Sequence, residues 1–381
     1  MPSKNCSTAT DDMTSKRKPK ASSLTAEEGT QEAVAIPSPS GGWLGIDIGG
    51  ANLKVSDGDQ FACSEPFALW QQPQRLASAI AKLLDRSPPF RQLAVTMTGE
   101  LCDCFLTREE GVCRILEQLT LVVPSPWVRV YGVGGKWYSV PQAARNPWSV
   151  AASNWDALAR YVASLFPDVQ GLLVDIGSTT TDLIPLGDGK PQTTASTDSQ
   201  RLQEWQLVYS GVQRTPIASL MDVLPLHGAQ CPVMAESFAT TEDVYLWKGW
   251  LEEDEDDCDT SDRRPKTKDH AGYRLARMVG EDGASLAPSD LDAIADAVID
   301  AQASRIAQAM DRQRRGLGVR SCKTLFLAGH APFLMEQVLR KMEWKPTLVD
   351  LQQLWGAQQS RCAPSLAVCR LAIQSSELSK E

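Results

Sequence analysis

The chain has 381 residues, a formal net charge of −9, 43% hydrophobic residues and 22% charged residues, a globular balance with room for about two domains. The acidic excess argues against nucleic acid as a general partner, and no apolar run approaches the ~20 residues of a membrane span. With no apolar signal-peptide core near the N-terminus, the expectation is a cytoplasmic protein whose ten cysteines stay reduced, with small molecules as partners and neither a nucleic acid nor a membrane among them.

Residues 1–40 are rich in Ser, Thr, Lys, Glu and Pro and read as a disordered tail. The stretch 43–54, WLGIDIGGANLK, then opens with a short apolar run that reads as a buried strand with Asp47 near its carboxyl end. Gly49 and Gly50 let the chain turn tightly and bring backbone N–H groups to a bound anion, and Asn52 and Lys54 can add side-chain donors. A plain hairpin turn, with Asp as a turn residue, stays open at this point.

Leu76, Ile80, Leu83 and Leu84 have helical spacing, and Ser87-Pro88-Pro89 ends that helix. A strand over 93–97 runs into Thr98-Gly99-Glu100, where Glu100 is either a base or amine-binding group reaching into a cleft, or a solvated turn residue. Cys102 and Cys104 lack a second Cys or His pair at metal-ligand spacing, so they read as ordinary thiols. Residues 122–138 read as strands around a glycine turn with no helix after it, and Asn154 as the cap of a helix whose inner face carries Leu158, Tyr161, Val162 and Leu165.

The run 172–186, LLVDIGSTTTDLIPL, repeats the first motif: an apolar strand, Asp175, then Gly177 followed by Ser178, Thr179 and Thr180, whose hydroxyls can donate to phosphate oxygens. Two such hairpins facing each other would hold Mg2+ on Asp47 and Asp175 with a polyphosphate between them, because magnesium prefers one or two carboxylates plus water and phosphate oxygens. Downstream, Arg214 can clamp a diphosphate or a carboxylate, or form a surface ion pair. Residues 252–262 hold eight acids and no base. That segment is either a solvated loop or, through Asp257, Asp259 and Asp262, a trap for a cation or an amine substrate. The favoured reading is a loop that orders over substrate with residues 252–256 left in water. His270 follows as an isolated acid or base candidate. Ser289 is expected to cap a helix through Met310, and a strand over 325–328 leads into Gly329-His330-Ala331-Pro332, where Gly329 and His330 are substrate candidates.

The two strand–Asp–x–Gly turns resemble those of the actin-like ATPase superfamily of actin, heat-shock chaperones and sugar kinases. Within it the chain is most similar to the hydantoinase/oxoprolinase branch, and there to the MfnF-like proteins of methanofuran and tetrahydromethanopterin-linked one-carbon metabolism. The narrower resemblance runs through MTGELCDCF (97–105), NPWSVAASNW (146–155), YSGVQRTP (209–216), FATTEDVYL (238–246), DCDTSD (257–262) and RLARMVG (274–280).

The resemblance implies an α/β fold of two ribonuclease-H-like domains, 41–168 and 169–381, around a central cleft, with Asp47, Glu100 and Asp175 as catalytic residues. It further implies a Mg-dependent transferase that condenses an aminomethylfuran diphosphate with a γ-glutamyltyramine-type phenol and releases pyrophosphate. An ATP-dependent kinase or amide hydrolase and a nucleotide-binding regulator without turnover are the alternatives. ATP is admitted but not favoured, because related folds pack adenosine on a Gly-x-Gly turn whose second glycine is Ala331 here.

Overall fold

The computed structural model describes residues 42–317, 322–329 and 331–378; the expected tail at 1–40 and His330 lie outside them. Short β-branched runs form two six-stranded sheets in these residues. The first is built from β1 (Trp43–Ile48), β2 (Asn52–Ser56), β3 (Ala62–Pro66), β4 (Gln92–Met97), β5 (Val128–Gly132) and β6 (Lys136–Tyr138), in the order β3-β2-β1-β4-β5-β6. The second uses β7 (Gly171–Ile176), β8 (Thr181–Gly187), β9 (Lys190–Pro191), β10 (Leu207–Val208) and, after a separate β11 (Val223–Leu226) and β12 (Ala229–Pro232) ribbon, β13 (Thr324–Gly329) and β14 (Thr347–Asp350). Its order is β10-β8-β7-β13-β14, with β9 on β8. In both sheets an antiparallel hairpin leads and parallel strands follow on its other side. The same ribonuclease-H-like topology therefore occurs twice.

Two helices lie between the sheets. The Asn154–Leu165 helix packs on β4, β8 and β9, and the Ala363–Leu378 helix packs on it and on β1, β2 and β4. Both are apolar nearly all round: Trp155, Ala157, Leu158, Tyr161 and Val162 of the first and Leu366, Ala367, Val368, Cys369 and Ala372 of the second are buried. That is the pattern of a helix covered on every side. The expected boundary at 168/169 put the last helix with the second sheet; its Leu366 and Ala367 do share a core with Leu173 and Phe326 of that sheet, and the helix packs on the first strand as well. The reason is steric and lies at Gly45, where an added Cβ would sit 2.0 Å from the Ser365 carbonyl oxygen and 2.9 Å from Cys369 Cβ. Only a residue without a side chain lets the helix backbone approach the strand so closely.

Local signals fare unevenly. The Leu76–Asp85 helix and the β5–β6 hairpin fall where spacing and glycine place them. The long helix spans Pro288–Gly316, with Pro288 in its first turn and Ala287 at the cap position; Ser289 lies inside it, since proline needs no N–H partner there and sets φ for helix entry. Among the described residues no helix is long and apolar enough to cross a membrane.

The contact at Gly45 gives the first prediction. Gly45→Ala drives a methyl into a helix backbone that cannot step aside, an overpacking cost of about 1–3 kcal/mol. Thermal unfolding should show a lowered melting temperature, while Gly134→Ala, where a Cβ meets no atom within 4 Å, should show only the smaller cost of its positive φ of 89°.

Candidate functional site

The two hairpins are built to one plan. In the first, Asp47 pairs in register with Lys54, and the loop closes by Gly49 N–H to the Asn52 carbonyl at 3.0 Å. In the second, Asp175 pairs in register with Asp182, and Gly177 N–H closes onto the Thr180 carbonyl at 2.9 Å. The loops Gly49, Gly50, Ala51, Asn52 and Gly177, Ser178, Thr179, Thr180 line one cleft together with Asp47, Lys54 and Asp175.

Neighbouring backbone holds both loops from behind. Leu69 N–H donates to the Gly50 carbonyl and Phe67 N–H to the Ala51 carbonyl, each at 2.9 Å. The second loop is held by Val212 N–H on Gly177 O at 3.0 Å, and by Gln213 and Arg214 N–H on Ser178 O at 2.9 and 3.0 Å. This backing requires glycine at 211, since a Cβ there would lie 2.5 Å from the Gly177 oxygen. With their carbonyls engaged, the loops keep donors for a ligand: the N–H groups of Gly50, Ala51, Ser178, Thr179 and Thr180 have no backbone acceptor among the described residues. Thr181, in contrast, spends its hydroxyl on the Ser210 carbonyl at 2.8 Å. An array of free N–H and O–H donors around one cavity is the chemistry of an anion cradle.

The acids of the cleft pay for enclosure. Burial pushes Asp47 up to about 6 against the pull of Lys54. Asp175 rises to about 7, through burial first and then the charge of Asp182, with Lys54 again opposing. Asp47 is 4% exposed and its Oδ1 has no hydrogen-bond partner. Desolvated carboxylates on facing loops, one with an unpartnered oxygen, are the donor set of a hard cation. Among the described residues no group of three His, Cys, Asp or Glu side chains gathers anywhere, so a cation here would complete its shell with phosphate oxygens and water, as magnesium does. The residues fit it.

A second, larger chamber adjoins the first, with about 1310 Å³ of open space against about 740 Å³, and shares Gly50, Ala51, Thr98, Asn154, Thr179, Thr180 and Asp182 with it. Arg214 lines this chamber and not the first, its guanidinium 3.9 Å above the centroid of the Trp70 ring. Of the expected roles, clamping a diphosphate or a carboxylate, this position puts Arg214 in the adjoining chamber and not among the residues lining the cavity between the loops. Asp182 is paired with Arg201, which stacks on Trp155 at 4.4 Å and reaches Asp198 at 3.4 Å.

Other expected site residues lie elsewhere. Glu100 is 1% exposed and lines neither chamber. Burial lifts it to about 7, and Arg108 stands 3.7 Å away, itself bonded to Asp198 at 2.5 Å. It sits behind the chamber walls, next to Arg108, whose partner Asp198 lines the second chamber. Asp257 is held by Lys266 at 2.8 Å, Asp259 donates its N–H to Asp257, and Asp262 binds Arg274 at 3.1 Å and Arg277 at 3.3 Å. None of the three lines the cleft; their alternating charges anchor the loop to the neighbouring helix instead of trapping a cation. His270 shares a bond with Thr267 at the start of that helix, at 2.8 Å. Gly329 does line the first chamber. Ala331 has φ −125° and a buried methyl in the core with Leu334 and Met335, so it neither strains the backbone nor obstructs the cleft as expected.

Duplicated ribonuclease-H-like sheets with matched loops across a cleft define the actin-like ATPase type of fold. The chain belongs to the hydantoinase/oxoprolinase family, whose pattern matches residues 91–374. It is 31% identical over 331 residues, 86% of this chain and 96% of the other, to the (4-{4-(2-(gamma-L-glutamylamino)ethyl)phenoxymethyl}furan-2-yl)methanamine synthase of Methanocaldococcus jannaschii. A synthase of the same name from Methanococcus vannielii is 36% identical over 115 residues, 30% of this chain and 51% of that one. Among solved structures, a nucleotide-free acetone carboxylase aligns with 84% of this chain and 70% of its own at 11% identity and a TM-score of 0.48.

The raised acids predict a pH dependence. A carboxyl whose folded pKa exceeds its unfolded value stabilises the fold when protonated, fully below about pH 4, and loses that contribution as pH rises through about 6 to 7. In magnesium-free buffer the melting temperature should therefore fall from about pH 5 to about pH 7.5, Glu100 adding in the same direction. Asp47→Asn and Asp175→Asn should each flatten the fall and match or exceed the parent at the upper end. Acids held by ion pairs would give the opposite slope.

Proposed function

We propose that this chain is a magnesium-dependent transferase that joins an aminomethylfuran diphosphate to a γ-glutamyltyramine-type phenol and releases pyrophosphate, a step of methanofuran-type cofactor synthesis for one-carbon transfer. The observation that carries the reading is the match, along 86% of the chain, to a synthase whose named product contains a furan methylene bonded to a phenol oxygen. The cleft supports it, because a diphosphate needs two donor-rich loops and facing acids, and the organic partner needs an adjoining chamber.

In this reading the loop N–H groups and the hydroxyls of Ser178, Thr179 and Thr180 bind the diphosphate, joined by Asn52 and Lys54. Asp47 and Asp175 hold magnesium, which when bound neutralises charge on the departing diphosphate as a Lewis acid. The bond between the furan methylene and the diphosphate oxygen breaks with its electron pair leaving on pyrophosphate. The phenol oxygen forms the new C–O bond at that carbon and its proton goes to water. The chain's part is to fix both reactants within reach and keep the leaving group's charge covered throughout. The product works where one-carbon units are carried in the cytoplasm, and no nucleic acid or membrane enters the reaction.

The alternative is ATP-dependent hydrolysis or phosphoryl transfer of the wider family. One observation favours it: the methyl of Ala331 lies in the core, so that methyl sets no steric bar to a nucleoside.

Purified protein with magnesium should release pyrophosphate only when both organic substrates are present, and Asp47→Asn and Asp175→Asn should each slow release by about a thousandfold. ADP formed from ATP, with no pyrophosphate from the furan ester, would leave the alternative standing and sink the condensation.

A further inference from the structure

The second chamber holds two charged side chains left without an opposite charge. Arg214 and Asp103 line it, both are exposed, and neither has an ion pair among the described residues. The other charges there are spent on each other: Asp182 on Arg201, and Asp198 on Arg201 and Arg108. Arg214 is also pre-positioned. Its backbone N–H is fixed on the Ser178 carbonyl at 3.0 Å, and its guanidinium carbon lies 3.9 Å above the centroid of the Trp70 ring. A guanidinium stacked by one face keeps its in-plane N–H edge free, the geometry that takes a carboxylate by two parallel bonds. Tyr209, 57% exposed, and Leu101, 49% exposed, add apolar surface to the same chamber.

One free cation and one free anion, with aromatic and aliphatic walls between a phosphate cradle and solvent, match a particular ligand chemistry. The geometry points to the second chamber as the site of an aromatic acceptor bearing a zwitterionic α-amino-acid head, whose carboxylate meets Arg214 and whose ammonium meets Asp103, with the ring directed at the phosphate cradle. This deepens the proposed function and rests on it for the identity of the acceptor. It also makes Arg214 and Asp103 specificity residues for the acceptor, apart from the loops that bind the leaving group. A ligand with only an amine, or only an acid, satisfies half of the pair and leaves the other charge in water.

The test is a comparison of acceptors by calorimetry, with magnesium and without any furan ester, so that binding is read independently of turnover. γ-Glutamyltyramine should bind the parent protein about tenfold to a hundredfold more tightly than tyramine, which lacks the head group. Arg214→Met should erase that preference, Arg214→Lys should restore part of it, and Asp103→Asn should weaken γ-glutamyltyramine while sparing an N-acetylated form that has no ammonium. Pyrophosphate binding, measured on the same preparations, serves as the check that each variant is folded. If Arg214→Met and Asp103→Asn both leave the preference intact, or if the parent shows none, the assignment falls. If the preference follows the two residues but no pyrophosphate is ever released from a furan ester, the chamber's assignment stands and the condensation reading falls.

Discussion

Everything about the cleft follows from enclosing the buried Asp47 and the partly buried Asp175 in one cavity. Desolvation acts on both, and the charges of Asp182 and Asp47 further oppose ionisation of Asp175. Lys54 supplies the one nearby cation on their own hairpins, in register with Asp47, while the equivalent place opposite Asp175 is taken by another acid, Asp182. The asymmetry between otherwise matched hairpins leaves the cleft short of positive charge when empty. In the proposed reading a divalent ion would supply it, and the cation and its anion would relieve the repulsion together.

The second constraint is geometric. A phosphate cradle needs backbone N–H groups aimed at one point, and a bare loop would satisfy them with its own carbonyls or lose its shape. Here the carbonyls of Gly50, Ala51, Gly177 and Ser178 are taken by strands and turns behind the loops, which leaves the donors facing the cavity. Gly211 makes that backing possible in the second loop because its missing side chain lets one segment lie directly under another. The ion pairs of Asp182, Arg201, Asp198 and Arg108 then connect the second hairpin to the helix that carries Arg108, so the two sides of the larger chamber share one set of charges.

The repeated hairpins were legible in the sequence because their signal is local: an apolar strand, an acid and a glycine occur in the same order twice, and the strand periodicity is short. The same alignment, carried further, would have paired Lys54 with Asp182 and brought Asp182 into the site. Glu100 was not legible in this way, since a strand-end glutamate looks the same whether it faces a cleft or is sealed behind Arg108. Asp257, Asp259 and Asp262 misled for a related reason: their spacing suggests a cation, but Lys266 and the two arginines of the following helix reach them first. Trp70 and Asp198 lie in no motif and join Asp103 in lining one chamber only through the fold. The last helix reads as apolar from its composition, yet nothing local says that its partner is the first strand.

That partnership has a consequence for how the chain is made. The strand carrying Asp47 leaves the ribosome well before the helix that covers Gly45, since Ser365 comes 320 residues after Gly45. Until the helix is available, the hairpin of the first loop has one bare apolar face, and the cleft lacks the wall formed by Ser360, Arg361 and Pro364. Closure of so long a loop is slow and leaves strand surface open to other chains meanwhile. The cleft is thus completed only after the Ala363–Leu378 helix has been made, and a chain stopped short of it carries Asp47 and Asp175 without that wall.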